Sequence, residues 1–132
     1  MVLRRRKTIA IKILIVDDEE MILDLMAEAL TDEGYECFVA SNVEAAVKVV
    51  KSTPGIELII TDLKMPGKTG ADLIKTVQAQ CEQKVKFIVM SGHASPNVKG
   101  NDIDIGAYPF LTKPLGIENL IEKVRSVLEE KG

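Results

Sequence analysis

Two apolar runs in this chain stop at carboxylates, and that pattern constrains the fold more than any other feature. Ile13-Leu14-Ile15-Val16 ends at Asp17-Asp18. Leu58-Ile59-Ile60 ends at Thr61-Asp62, with a Pro/Gly-rich loop running on to Gly70. Short β-branched runs bounded by turn residues read as buried strands. Each is followed by a stretch with helical spacing, and such alternation builds a parallel sheet covered on both faces. In open sheets of that kind, chemistry collects beyond the carboxyl ends of the strands. All three acids fall there.

The alternation repeats five times. Strands are expected at Ile11–Val16, Glu36–Ala40, Glu57–Thr61, Val85–Met90 and Ala107–Leu111. The first helix runs from Glu19 to Glu33, with Ile22, Leu25, Met26, Ala29 and Leu30 as its inward stripe and Gly34 as its left-handed terminator. Asn42 is the expected N-cap of the second helix, which turns Ala46, Val49 and Val50 inward before Pro54-Gly55 ends it. The third spans Gly70 to Cys81 and buries Leu73, Ile74, Val77 and Cys81. The fifth spans Gly116 to Glu130 with Ile117, Leu120, Ile121, Val124 and Leu128 on one face. A fourth helix should lie between Asn97 and Ile105, short and frayed, because Gly100, Asn101, Asp102 and Asp104 are poor helix formers. The fold class is α/β, a flavodoxin-like (βα)5 doubly wound sheet of five parallel strands in the order 2-1-3-4-5. Pro109 suits an edge strand, where no ladder hydrogen bond is lost.

A chain of 132 residues makes about one domain with one substantial core. The division expected is a basic N-terminal tail at residues 1–10 and a folded unit at 11–132. The tail carries Arg4-Arg5-Arg6-Lys7 without an apolar stretch behind it, so it does not read as a secretory signal. It reads as a solvated tail, with a contact to an acidic partner as the alternative. A net charge of −3 is no footprint for nucleic acid. No apolar run approaches the length of a membrane span. Cys37 and Cys81 stand far apart without metal-ligand spacing and read as reduced thiols, which points to the cytoplasm.

Asp17 and Asp18 could simply cap the following helix and favour its dipole. Set beside Asp62, they form three converging anions that need a cation. Hard oxygen ligands with room for water suit Mg²⁺. Ser91 ends the fourth strand, and Lys113 follows the fifth. Taken alone, the first would be a loop cap and the second a solvated lysine. Beside three acids, a hydroxyl and an ammonium make sense if a phosphate also visits.

These residues lie in four segments: Val16 to Glu20, Asp62 to Gly70, Ser91-Gly92-His93-Ala94, and Gly106 to Pro114. In order and spacing they resemble the receiver domain of two-component response regulators, the CheY-like family, over about Lys12 to Glu130. The resemblance implies that Asp62 is a phosphoacceptor for a sensor histidine kinase or histidine phosphotransfer protein. It implies Mg²⁺, with Mn²⁺ as a substitute, held directly by Asp18, Asp62 and the Lys64 carbonyl, with Asp17 helping through water. Lys113 would meet the phosphoryl group, with a cis bond to Pro114. Ser91 and Phe110 would switch together, and Lys64 and His93 would tune the rate of dephosphorylation. The face made by the fourth helix, fifth strand and last helix would meet an output domain or downstream protein, with no role for nucleic acid or membrane. Such a domain is a phosphoacceptor that assists its own phosphorylation and dephosphorylation rather than an enzyme.

Two positions depart from the commonest family wording. Pro109 stands where an acid often sits between two aromatics, which weakens the case for one symmetric dimer mode. Thr69 replaces a frequent acid before Gly70, with no chemical consequence expected. Three other readings remain at this level. A phosphohydrolase would want a second acid at Lys64, a flavodoxin relative would want a Ser/Thr/Gly-rich loop where Asp17-Asp18-Glu19-Glu20 stands, and a receiver within a larger protein would carry its output elsewhere.

Overall fold

The computed structural model describes residues 10–81, 84–92 and 105–129. Its elements follow in chain order: β1 (Lys12–Val16), α1 (Glu20–Asp32), β2 (Glu36–Ala40), α2 (Val43–Ser52), β3 (Ile56–Asp62), α3 (Gly70–Gln80), β4 (Lys86–Ser91), a 3₁₀ turn (Ile105–Ala107), β5 (Phe110–Thr112) and α4 (Ile117–Glu129). The strands are parallel and ordered β2-β1-β3-β4-β5. This is the expected topology. The helix expected between Asn97 and Ile105 lies outside the described residues up to position 104, so the last helix carries the label α4.

The strands alternate their side chains between two apolar layers. Leu14, Val16, Ile59, Phe87 and Val89 face α2 and α3. Ile13, Ile15, Leu58, Ile60, Ile88 and Met90 face α1 and α4. Ile13 to Val16 are fully buried, as a strand covered on both faces must be. Each such side chain contributes roughly 1.5–3 kcal/mol of transfer free energy.

Helix boundaries follow local chemistry. Gly34 takes a φ of 99° behind α1, and its N–H donates to the Thr31 carbonyl while that of Tyr35 donates to Leu30. Asn42 caps α2, its side-chain oxygen accepting from the Ala45 N–H at 2.7 Å.

Three expectations need correction. The buried stripe of α1 is Leu23, Met26 and Leu30, and Leu25 is 49% exposed. At 3.6 residues per turn, Leu25 lies about 200° around the helix from Leu23; the apolar stripe is wide enough that spacing alone allowed either register. The fifth strand is shorter and later than Ala107–Leu111. Ala107 closes a 3₁₀ turn instead, because Pro109 has no N–H to continue the ladder. Its carbonyl still accepts from the Val89 N–H at 2.9 Å. In α3, Cys81 is the half-buried C-cap and not a helical core residue.

Candidate functional site

Strand order decides the site. With β1 beside β3, the carboxyl ends of both deliver their acids to one place. Asp17, Asp18 and Asp62 each present a carboxylate oxygen, and these oxygens lie within 4.8 Å of one another. Asp17 is fully buried, Asp62 is 7% exposed and Asp18 is exposed. One Asp17 oxygen accepts the Glu19 N–H at 2.9 Å. This bond closes a local turn ahead of α1, whose N-cap is Glu19 and has no side-chain cap, so the helix-capping reading of the acid pair is not met.

Lys113 closes the site from beyond β5. Its Nζ donates to Asp17 Oδ2 at 2.9 Å and to Asp62 Oδ2 at 2.8 Å, and it stands 3.9 Å from Glu19. Burial works to lower its pKa, but hydrogen bonds and charge from Asp17 and Asp62 outweigh that and raise it above the usual lysine value. The Lys113–Pro114 peptide is cis, as the resemblance implied. Ser91 ends β4 with 7% exposure, and its carbonyl accepts the Lys113 N–H at 2.8 Å. The two residues are therefore tied backbone to backbone.

The loop after β3 is held close. The Leu63 N–H continues the ladder to the Met90 carbonyl, and the Gly70 N–H returns to the Leu63 carbonyl. The buried Thr61 hydroxyl donates to the Asp62 carbonyl at 3.0 Å. Gly70 lies so near that carbonyl that a Cβ would come within 2.5 Å of its oxygen. Lys64 is exposed, and its N–H donates to Asp62 Oδ1 at 3.2 Å. Phe110 is half-buried against the α2–α3 layer. His93 lies outside the described residues.

Thr69 has a role that the sequence reading missed. Its hydroxyl caps α3 by accepting the Asp72 N–H, and its own N–H donates to the Asp72 carboxylate at 2.8 Å. This reciprocal box satisfies two donors at the helix start. The spacing Thr-x-x-Asp before an apolar run was the available signal. Thr61 and Gly70 gave none, since their roles depend on the approach of α3 to the end of β3.

The donor set fits a hard divalent cation: three carboxylates together, with water-accessible Asp18 at the rim. Among the described residues, no helix is long and apolar enough to cross a membrane.

Comparison with known proteins agrees with this geometry. The family model for the response regulator receiver domain matches residues 13–125. The sensory transduction protein RegX3 of Mycobacterium tuberculosis is 32% identical over 91% of this chain and 52% of its own length. Sporulation initiation phosphotransferase F of Bacillus subtilis is 31% identical over 91% of this chain and 95% of its own length. Among solved structures, the chemotaxis response regulator CheY4 of Vibrio cholerae matches with a TM-score of 0.79 at 28% identity, covering 90% of this chain and 99% of that one. The response regulator TrrA of Thermotoga maritima, in complex with Mg(2+)-BeF, matches with a TM-score of 0.73 at 30% identity, covering 89% and 98%. The chain belongs to the receiver-domain family of two-component response regulators. It spans about half the length of the first curated relatives it matches, 50% and 52%.

Proposed function

We propose that Asp62 accepts a phosphoryl group from a histidine kinase or histidine phosphotransfer protein, and that the domain then signals by changing conformation. The observation that carries this reading is the convergence of Asp17, Asp18 and Lys113 on Asp62 at the carboxyl edge of the sheet. An Asp62 carboxylate oxygen attacks the phosphorus of a phosphohistidine. The P–O bond forms as the P–N bond breaks, and the imidazole nitrogen leaves with the electron pair. The product is an acyl phosphate on Asp62.

Such a transfer needs positioning and charge neutralisation more than acid–base chemistry. Asp17, Asp18, Asp62 and the Lys64 carbonyl would hold Mg²⁺, or Mn²⁺ in its place, which when bound neutralises phosphoryl oxygens. Lys113 supplies a fixed positive charge to the same oxygens. Its present partners are the Asp17 and Asp62 carboxylates, so phosphorylation of Asp62 exchanges one of two anionic partners for another. Ser91 is the hydroxyl donor from β4.

A charge-assisted hydrogen bond is worth about 1.5–3 kcal/mol, and turning a 1:99 population to 99:1 takes about 5.5 kcal/mol. New bonds from Ser91 and Lys113 to phosphate are of that order. The shift is carried to Phe110 in β5, whose neighbours across the ladder are Val89 and, through Leu111 and Thr112, the end of β4. Output passes through the face around β5 and α4, where Leu115, Asn119 and Lys123 line a cavity of about 450 Å³. Lys64 and His93 set the lifetime of the acyl phosphate. The domain works on its own aspartate and not on an exogenous small substrate, in the cytoplasm, with residues 11–132 as the receiver and 1–10 as a basic tail. It needs no contact of its own with nucleic acid or membrane.

The test is incubation with Mg²⁺ and acetyl phosphate. The protein should gain the mass of one phosphoryl group, and Asp62→Asn should not. An unchanged mass in both would overturn the reading.

A further inference from the structure

Helix α3 meets the proposed machinery at both ends. Its first residue, Gly70, packs on the Asp62 carbonyl and bonds to Leu63. Its last turn holds Gln78, whose Nε2 donates to the Tyr108 hydroxyl at 3.0 Å. The two contacts lie on one continuous helix, about 12 Å apart at 1.5 Å per residue.

Tyr108 stands two residues before Phe110, in the bend that leads into β5. Both pack against the α2–α3 layer. The Tyr108 ring also meets Phe87 of β4 edge to face, with centroids 5.9 Å apart and planes at 84°. That is a favoured arrangement for two aromatic quadrupoles. Between Tyr108 and Phe110, the Pro109 carbonyl is bonded to Val89. The approach to β5 is thus fixed on the face that Phe110 shares.

We propose that Tyr108 is a positioning residue for the phosphorylation switch: held by Gln78 and Phe87, it sets the resting place of Phe110 and joins β5 to the helix that abuts the Asp62 backbone. The inference rests on the phosphoacceptor reading above. The resting arrangement is the one in which Lys113 bonds the Asp62 carboxylate. A contact made in that arrangement biases the equilibrium only by its difference between the two states. The hydroxyl is the separable part of the contact. Tyr108→Phe keeps the ring on Phe87 and deletes the bond to α3.

The experiment titrates Mg²⁺ with beryllofluoride, a phosphoryl mimic, into the full chain by calorimetry. The proteins are wild type, Tyr108→Phe, Gln78→Ala, the double variant and Gln78→Glu. Loss of one hydrogen bond from the resting state should tighten binding about three- to tenfold in each deletion variant. The double variant should gain no more than either single one, because both remove the same contact. Gln78→Glu offers an acceptor to the Tyr108 hydroxyl and should restore wild-type affinity. A purely structural bond would lower the urea midpoint and leave affinity unchanged; that result overturns the proposal, as do additive effects or weaker binding. If wild type itself takes no beryllofluoride and gains no phosphoryl mass, the phosphoacceptor reading fails first and this inference with it.

Discussion

The Lys113 ammonium lies 2.8 Å from an Asp62 carboxylate oxygen. The same atom reaches the fully buried Asp17 at 2.9 Å, so one cation holds two acids that would otherwise repel. Replacing it leaves both anions without that partner. Lys113→Met should lower metal-free stability by about 1.5–3 kcal/mol, the range for a hydrogen bond to a charged group. Added Mg²⁺ should recover part of the loss. Urea unfolding in EDTA checks this, and an unchanged midpoint would count against the ion-pair geometry.

The raised pKa of Lys113 has a consequence at alkaline pH. A group whose folded pKa lies above its unfolded value contributes stability that is full below the unfolded pKa. That contribution is lost as pH rises through the folded pKa. With an unfolded lysine at about 10.4, the loss should fall above that pH. Wild type should therefore lose stability there more steeply than Lys113→Met, when both are followed by urea melts across the alkaline range.

Metal binding should depend on the exposed acid. Asp18 makes none of the Lys113 bonds, so Asp18→Asn should change metal-free stability little or raise it slightly by easing repulsion. Mg²⁺ at about 100 times its Kd stabilises a folded protein by about 2.7 kcal/mol. Asp18→Asn should lose most of that increment, read as a smaller Mg²⁺-induced shift in melting temperature. An equal shift in both proteins would remove Asp18 from the metal set.

The start of α3 carries two separable effects. Thr69→Ala deletes a capping box and should cost about 1 kcal/mol with little effect on phosphorylation. Gly70→Ala sets a methyl against backbone, 2.5 Å from the Asp62 oxygen, so the acceptor loop must shift. Its phosphorylation by acetyl phosphate should slow well beyond what its stability loss explains. Equal rates for the two variants would deny Gly70 any part in placing Asp62.

Much of this was legible in the chain. The acids ending two strands, the sheet order and the Gly34 terminator follow from apolar runs and punctuation. The convergence of Lys113 is different. The strand pattern brings Lys113 to the same edge as the acids, but nothing in local spacing near position 113 indicates its contact with Asp17, 96 positions away. The α1 register is ambiguous because Met21, Ile22, Leu23, Leu25 and Met26 are all apolar, so that Leu23 and Leu25 are equally good by composition. The short β5 was misplaced because Pro109 interrupts the ladder without interrupting the apolar run. The box of Thr69 and Asp72 is legible in the Thr-x-x-Asp spacing before an apolar run.

The central claim is that Asp62 carries the phosphoryl group. Phosphorylate the protein with acetyl phosphate and Mg²⁺, trap the acyl phosphate with borohydride, and sequence the peptides that together span the chain. The account predicts a reduced residue at position 62 and none at Asp17, Asp18 or Asp72. A reduced residue at any other acid, or none at position 62, would contradict it.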